Sequence, residues 1–243
     1  MKAELSFRGV PHTLAQEEDA RAAADLLARF VGISPARVAD VRAEPRSTWP
    51  ALAERFPNAE IVPLDASGID DRASAGGRGA FDLIYFSGGL ESPLPPPRRP
   101  SRLVKRLAAG GRLAFQFPNN LYEPNRALMR MVAAEGPWAK RLLSVAKTRP
   151  FNQTMEGLHA LLSPHCASVD IWETTYLLAM NGTAGIVDLM TGSLAPFLAP
   201  LDEASQRKFL DRYSAELTRA YPAEPDGKVL LRLPRMFFVA QRA

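Results

Sequence analysis

Carboxylates and guanidinium groups cluster after the first two predicted strands of the chain. Asp40 lies in the first predicted strand and Asp65 follows the second, while Arg42 and Arg46 stand in the stretch after the first. A carboxylate can accept two hydrogen bonds side by side, and a guanidinium binds anions through parallel N–H groups. These residue types could hold a ligand that carries hydroxyls or negative charge. The alternative is that Asp65 is an exposed carboxylate at a strand end and that both arginines lie in a solvated turn.

The composition is that of an ordinary globular chain. Hydrophobic residues make up 47% and charged residues 23% of the 243 residues, a length that fits one α/β domain. The net charge of +4 is small and spread along the chain, so we expect no nucleic-acid partner. We also expect no membrane partner, because no run of about 18 apolar residues is present.

Cysteine usage and the start of the chain indicate the compartment. Cys166 is the one cysteine, which excludes an internal disulfide and a Cys-rich metal site. Residues 1–10 carry charges and lack the apolar stretch of a signal peptide. We therefore expect a cytoplasmic protein without a bound metal.

The elements that must position these residues alternate in the first half of the chain. Helices are predicted at residues 19–31, 48–56 and 101–109. Strands are predicted at residues 37–41, 59–64, 81–86 and 112–117. This alternation predicts a doubly wound, mostly parallel, Rossmann-like α/β sheet with helices on both faces.

The second half has a different pattern. Helices are predicted at residues 125–134, 140–145, 185–194 and 203–221. Strands are predicted at residues 168–178 and 228–241, the latter broken at Pro234. A last long strand preceded by helices predicts an antiparallel C-terminal strand and a helical lid.

Several segments carry a resemblance to a known family. They are residues 82–84 (DLI), 113–118 (LAFQFP), 120–124 (NLYEP), 169–176 (VDIWETTY), 220–222 with 226–227, and 230–240 (LLRLPRMFFVA). Through these segments the chain resembles the trans-aconitate methyltransferases, class I enzymes that esterify a small tricarboxylate with S-adenosylmethionine (SAM). The resemblance implies one methyltransferase-like domain over residues 1–243, with a cofactor-binding half at 1–118 and a substrate and lid half at 119–243.

The resemblance implies three features that hold SAM: a glycine-rich turn after the first strand, an acid after the second that takes both ribose hydroxyls, and a polar residue in the third strand. Residues 40–48 read DVRAEPRST and contain no glycine, and Pro45 restricts the backbone. Asp65 supplies the acid, but residues 66–79 form a short bridge in place of the third strand. We therefore predict a degenerate cofactor site lined by Asp40, Asp65, Arg42 and Arg46, with the arginines filling the vacated pocket or binding another anion.

The resemblance further implies that catalysis is mostly positioning, because a substrate carboxylate attacks the methyl group directly. No catalytic residue is predicted, and cations and hydroxyls should hold the substrate. The candidates are Tyr122, Arg126, Thr174, Thr175, Tyr176, Arg232 and Arg235.

Some of these candidates depart from the family pattern or have a simpler interpretation. Arg126 stands where the family has a histidine, and Ala195 where it has an arginine. Arg232 and Arg235 could be surface charges of a strand, and their spacing of three puts them on opposite faces unless Pro234 bends the strand.

Three functional hypotheses follow. The first is a methyltransferase-fold pseudoenzyme that has lost ordinary SAM binding and methyl transfer, needs no cofactor, and binds a small carboxylated or phosphorylated ligand or a protein partner. A dimer through the C-terminal strand would be its obvious form. The second is an active SAM-dependent carboxyl O-methyltransferase acting on a small di- or tricarboxylic acid. The third is a different enzyme that uses the same cavity.

Overall fold

The structure, a computed structural model, describes residues 12–42, 49–65, 80–89, 100–147 and 154–243. The helices are α1 (His12–Leu27), α2 (Trp49–Arg55), α3 (Pro100–Val104), α4 (Pro124–Glu135), α5 (Ala139–Lys147), α6 (Met155–Leu162), α7 (Gly182–Leu189), α8 (Thr191–Leu198) and α9 (Glu203–Ala220), with a 3-10 helix at Ser163–His165. The strands are β1 (Arg37–Arg42), β2 (Glu60–Asp65), β3 (Phe81–Ser87), β4 (Leu107–Pro118), β5 (Cys166–Met180) and β6 (Val229–Arg242).

The described strands form one mixed sheet in the order β2-β1-β3-β4-β6-β5. β1 pairs in parallel with β2 and β3, β3 pairs in parallel with β4, and β6 pairs antiparallel with β4. The predicted Rossmann-like α/β fold with an antiparallel C-terminal strand is therefore confirmed. Because β2 and β3 lie on opposite sides of β1, the strand order reverses at β1, and open α/β sheets bind ligands at the carboxyl ends of the strands at such a point.

Stacked aromatic rings hold the central strands together. Phe86 in β3 and Phe115 in β4 occupy paired positions with ring centroids 5.0 Å apart, and Phe115 pairs in turn with Phe238 of β6 at 5.1 Å. All three side chains are buried. A stacked pair of this kind adds about 0.5–1.5 kcal/mol beyond the burial of its area, so this row of rings fixes the register of the three strands.

The described chain forms two compact units. One contains residues 12–16, 120–147 and 175–233, and the other contains residues 17–42, 49–65, 80–89, 100–119, 154–174 and 234–243. The predicted single domain over residues 1–243, its division at residue 118 and its helical lid stay predictions.

Tight packing organises the helical unit that contains α4, α5 and α9. Trp138 packs against Phe209 of α9 with ring centroids 5.3 Å apart, and its indole N–H donates to the carbonyl of Val132 at 2.8 Å. A Cβ on Gly136 would overlap this indole. Glycine is therefore required between α4 and α5 for the tryptophan to fold back onto the helix.

The predicted helix at residues 101–109 ends early, because β4 already begins at Leu107. Gly110 has a φ of +74°, and a Cβ on Gly111 would lie 2.9 Å from the carbonyl oxygens of Ala108 and Phe81. The two glycines follow the predicted helix in sequence but lie within β4, next to an irregularity in its pairing with β3 between Phe81 and Leu83. This is a correction to the sequence prediction.

Two further boundaries also differ from the prediction. β6 runs without a break through Pro234. The paired positions of β4 and β6 begin at Pro118 and Arg235, so the N–H group that proline lacks removes no hydrogen bond between these paired positions. The predicted helix at residues 185–194 is two helices that meet at Met190.

The C-terminal strand β6 is an inner strand of the described sheet. β6 lies between β4 and β5 in the sheet, and its residues 235–241 pair with β4; the expected dimer through the C-terminal strand stays a prediction. None of the helices in the described ranges is long and apolar enough to cross a membrane.

Candidate active site

Two buried polar residues face each other across the strands at which the strand order reverses. Asp40 of β1 pairs in register with Tyr85 of β3, and both side chains are buried. Burial raises the pKa of Tyr85 far above its ordinary value, the hydrogen bond with Ser87 lowers it, and the charge of Asp40 raises it further. The phenol is thus neutral at any physiological pH, and its hydroxyl donates a long bond of 3.4 Å to the carbonyl of Ala23 in α1.

The other predicted cofactor residues follow the same line of strand ends. Arg42 and Asp65 are the last residues of β1 and β2, and they occupy paired positions in the parallel ladder. Their backbones therefore bring them together at the carboxyl ends of neighbouring strands. Arg46 lies outside the described residues, and so does the predicted bridge at residues 66–79.

A buried arginine ties three strands to α1. The guanidinium of Arg235 is fully enclosed and donates to the carbonyl of Gly88 at 2.9 Å, to Oε1 of Gln116 at 2.8 Å and to Oδ1 of Asp19. The amide of Gln116 donates in turn to Oγ of Ser87 at 2.6 Å and to the carbonyl of Gly88 at 3.0 Å. These bonds connect the carboxyl ends of β3 and β4 with β6 and α1.

Sequence reasoning missed two members of this cluster. Gln116 is a lone polar residue inside the apolar stretch 113–118, and this signal could have identified it. Asp19 gives no such signal, because it lies 216 positions from Arg235. Arg235 was predicted to bind substrate; three protein acceptors surround its guanidinium, and its contact with substrate stays a prediction.

The predicted substrate residues are divided between the two units. Thr174 and Arg235 belong to the unit that contains Asp40, Arg42 and Asp65, whereas the other unit contains Tyr122, Arg126, Thr175, Tyr176 and Arg232. Their exposures differ widely: the side chain of Tyr122 is 78% exposed and that of Tyr176 only 2%. Arg232 is exposed while Arg235 is buried, as their spacing along β6 predicts.

Arg126 lies in the first turn of α4, in a polar part of the helical unit. The hydroxyl of Tyr213 donates to the carbonyl of Asn125 at 3.1 Å, and the hydroxyl of Tyr221 accepts from its N–H at 3.0 Å. Burial lowers the pKa of Arg126, the neighbouring Tyr213 opposes this shift, and the charge of Arg130 adds to it. The guanidinium is therefore a partly desolvated cation, which suits it to bind an anion.

Comparison with known proteins places the chain in a family. No protein-family model matches it. It is 41% identical to the trans-aconitate 2-methyltransferase of Methylobacterium nodulans, with 93% of this chain and 94% of the relative covered. The enzyme of the same name from Methylobacterium radiotolerans is 37% identical, with 96% of both chains covered. That from Rhodopseudomonas palustris is 34% identical, with 93% of this chain and 94% of the relative covered.

Among solved structures, the phosphoethanolamine N-methyltransferase 2 of Haemonchus contortus covers 91% of this chain and 52% of its own length, at 11% identity and a TM-score of 0.45. The fold and the polar residues at the strand ends define a Rossmann-like α/β protein. By its identity over nearly its whole length with the curated relatives, the chain belongs to the trans-aconitate 2-methyltransferase family.

The expectation that the protein has lost SAM binding and methyl transfer is wrong. Identity of 41% extends over 93% of the chain to a relative named for methyl transfer, and no feature of the described residues indicates a loss of cofactor binding. The absence of glycine from residues 40–48 would exclude the cofactor only if the turn kept the backbone path of the family. A turn of different length and path needs different residues, so the comparisons favour the active methyltransferase.

Proposed function

We propose that the protein is a SAM-dependent carboxyl O-methyltransferase that acts on a small di- or tricarboxylic acid, with trans-aconitate as the first candidate. The observation that carries this proposal is the 41% identity, over 93% of the chain, with a curated trans-aconitate 2-methyltransferase. The fold supports it, because the polar residues of the sheet lie at the carboxyl ends of strands where the strand order reverses.

The backbone of Asp65 ends β2 beside the end of β1. We propose that its carboxylate accepts both ribose hydroxyls of the cofactor, because a carboxylate can accept two hydrogen bonds side by side. Asp40 adds a second, buried carboxylate two residues before the end of β1. When bound, SAM would supply an electrophilic methyl group on a positively charged sulfur.

The chain's own part in such a reaction is to bind and orient. A substrate carboxylate has a pKa of about 4, so it is already ionised at neutral pH and needs no base. Donors that hold the carboxylates fix the attacking oxygen and decide which acid is accepted. The predicted substrate residues include arginines and tyrosines, which supply such donors.

The Arg235 cluster holds the strand ends in place for this task. Gly88 follows the end of β3, and its carbonyl accepts from both Arg235 and Gln116. Both donors are fully buried, so they hold the backbone carbonyl of Gly88 in place. Pre-organisation of this kind lowers the cost of ordering the site when ligands bind.

Isothermal titration of the purified full chain with SAM and S-adenosylhomocysteine tests the proposal first. We expect micromolar binding, followed by formation of a methyl ester from trans-aconitate that mass spectrometry detects as an added methyl group. Citrate and a monocarboxylic acid serve as comparison substrates. A folded protein that gives neither heat nor ester would contradict the proposal.

We also infer a cytoplasmic location, which cell fractionation tests. The small anionic ligand of the earlier hypothesis becomes the carboxylic acid substrate in this proposal.

A protein partner and a dimer both stay predictions. Light scattering of the purified protein measures whether it forms a dimer.

A further inference from the structure

The segment from the end of β4 into the first turn of α4 leaves four enclosed polar atoms without a protein partner. Within the part of the chain that the structure describes, Oδ1 of Asn119, Nδ2 of Asn120, Oδ1 of Asn125 and Nε of Arg126 are buried and make no hydrogen bond. Buried polar groups in native proteins almost always have a partner, and each unpaired one costs about 1–3 kcal/mol. Four such atoms within eight residues indicate that something other than the protein completes this segment.

The backbone holds these residues close to one another. The N–H of Glu123 donates to the carbonyl of Asn120 at 3.2 Å, and the N–H of Arg126 donates to the carbonyl of Glu123 at 3.0 Å. Two successive tight turns therefore lead from Asn120 into α4. The side-chain nitrogen Nδ2 of Asn125 donates to the sulfur of Met190 at 3.2 Å, while its side-chain oxygen is the unpaired atom.

The electrostatics of the turn favour an anion. Arg126 is half-buried, and among the described residues no carboxylate forms an ion pair with it. Glu123, at the N-cap of α4, is the one carboxylate of residues 120–126 and opposes the charges of Arg126 and Arg130. The first turn of α4 itself contains no acidic residue, so the positive end of the helix adds to the charge of the guanidinium. Arg130 stands one turn further along, where it donates to the carbonyl of Leu121 at 2.6 Å.

The unpaired atoms match the chemistry of a carboxylate. Nε of Arg126 and Nδ2 of Asn120 are both donors, and a carboxylate offers two acceptor oxygens. Rotation of the Asn125 amide by half a turn would exchange its free oxygen for an NH2 group, at the loss of only a weak contact with sulfur. With the amide in that orientation, these three side chains would supply three unpaired donors.

We propose that the turn at residues 120–126 is a carboxylate-binding subsite, in which Arg126 and Asn120 hold one carboxylate of the di- or tricarboxylic acid. This inference rests on the proposed function and adds to it the residues that select an acid with more than one carboxylate. A monocarboxylic acid, whose one carboxylate is the methyl acceptor, leaves the subsite empty and is a poor substrate.

Replacement of Arg126 tests the subsite through steady-state kinetics. We expect Arg126→Gln to raise the KM for trans-aconitate about tenfold or more, because a hydrogen bond to a charged group is lost, while the KM for SAM stays unchanged. Arg126→Lys keeps the charge but not the Nε donor, so its KM should lie between those of the wild type and Arg126→Gln. Arg207→Gln removes an exposed arginine of α9 in the same unit and should change neither KM.

A stability measurement separates a binding role from a structural one. Because the guanidinium is a partly buried charge without a counter-charge, Arg126→Gln should unfold at the same temperature as the wild type or higher. A purely structural Arg126 would give a variant that melts earlier and keeps its KM for trans-aconitate, and that result would overturn the inference.

Direct titration distinguishes failure of the subsite from failure of the proposed function. Trans-aconitate is titrated into the wild type and into Arg126→Gln, each with and without S-adenosylhomocysteine. If the wild type binds trans-aconitate but neither SAM nor S-adenosylhomocysteine, the proposed function fails while loss of binding in Arg126→Gln still supports the subsite. If both proteins bind trans-aconitate equally, the subsite is refuted whatever the cofactor does.

Discussion

The guanidinium of Arg235 in β6 donates to the side-chain oxygen of Gln116 in the neighbouring strand β4 at 2.8 Å, and both side chains are fully buried. The same guanidinium bonds to Asp19 of α1 and to the carbonyl of Gly88 after β3. This one side chain therefore connects β6 with α1, with β4 and with the residue that follows β3.

Removal of this guanidinium should be strongly destabilising. Arg235→Met keeps most of the volume but removes the buried donor shared by Asp19, Gln116 and the carbonyl of Gly88, and removing one partner of a buried charged pair costs about 3–5 kcal/mol of unfolding free energy. Urea denaturation measures the loss. Arg232→Met, in the same strand but exposed, should change stability by less than about 0.5 kcal/mol, and equal losses in the two variants would contradict the prediction.

Asp82 fixes the beginning of β1. Its Oδ2 accepts from the backbone N–H groups of Ala36 and Arg37, both at 2.9 Å. Asp82→Ala should lower the unfolding free energy by about 1–3 kcal/mol, since two amides lose a charged acceptor. Asp82→Asn keeps an oxygen and should lose less. The pair of variants is compared by urea denaturation, and equal losses would assign the effect to packing rather than to the hydrogen bonds.

Asp202 should contribute stability that disappears in acid. The backbone N–H of Ser205 at 2.9 Å lowers the pKa of this carboxyl, with smaller contributions from the Ser205 hydroxyl and from Arg141. Since the pKa is lower in the folded protein, the stabilisation is present above about pH 4 and is lost as the pH falls through the folded value.

The test compares Asp202→Ala with the wild type at neutral pH and at about pH 3. The difference in melting temperature between the two proteins should be larger at neutral pH and should shrink in acid. Asp202 is the N-cap of α9, and Asp211→Ala, at an exposed position within that helix, supplies the matched control. A difference that stays constant with pH would assign the effect to helix propensity.

Tyr85 should make the protein sensitive to alkali. Burial raises its pKa well above the ordinary value, so the unfolded chain ionises first. The stability is complete below about pH 10 and falls as the pH rises beyond it. Tyr85→Phe removes the ionisable group and should lose less stability than the wild type between neutral pH and about pH 10.5. Identical pH profiles in urea denaturation would refute this explanation.

Replacement of Asp65 should weaken binding of the cofactor and leave the KM for the acid substrate unchanged. If its carboxylate accepts the ribose hydroxyls, Asp65→Ala should weaken SAM binding by about tenfold or more and leave the KM for trans-aconitate unchanged. Isothermal titration with SAM measures the first effect and steady-state kinetics the second. Asp170→Ala, at an exposed position of β5, is the control variant.

The order of strands and helices could be predicted from the sequence because it depends on local patterns. The apolar runs at residues 81–86 and 112–117 and the alternation of elements suffice for a mostly parallel sheet. The start of β4 was missed, because Leu107 and Ala108 have good helix propensity and their strand state depends on pairing with Phe81.

The site was less predictable, for two physical reasons. The role of Arg235 depends on Asp19, which only the tertiary fold brings to it. The expected loss of SAM binding was inferred from the missing glycines of residues 40–48, on the assumption that the backbone there follows the path found in the family. A turn with other residues can follow another path. The polar segment at residues 120–126 was identified only in part, since the unpaired atoms of Asn120 and Asn125 are visible only in the folded chain.

The two outermost of the described strands bear on self-association. β2 and β5 each have one side without a neighbouring strand, and such open sides can add strands from another molecule and grow into aggregates. β2 carries an exposed Pro63, which has no N–H to offer. β5 carries the exposed charges Asp170 and Glu173, which repel a second copy of the same strand. These features of the two outer described strands disfavour the addition of strands from another molecule, independently of any role in catalysis.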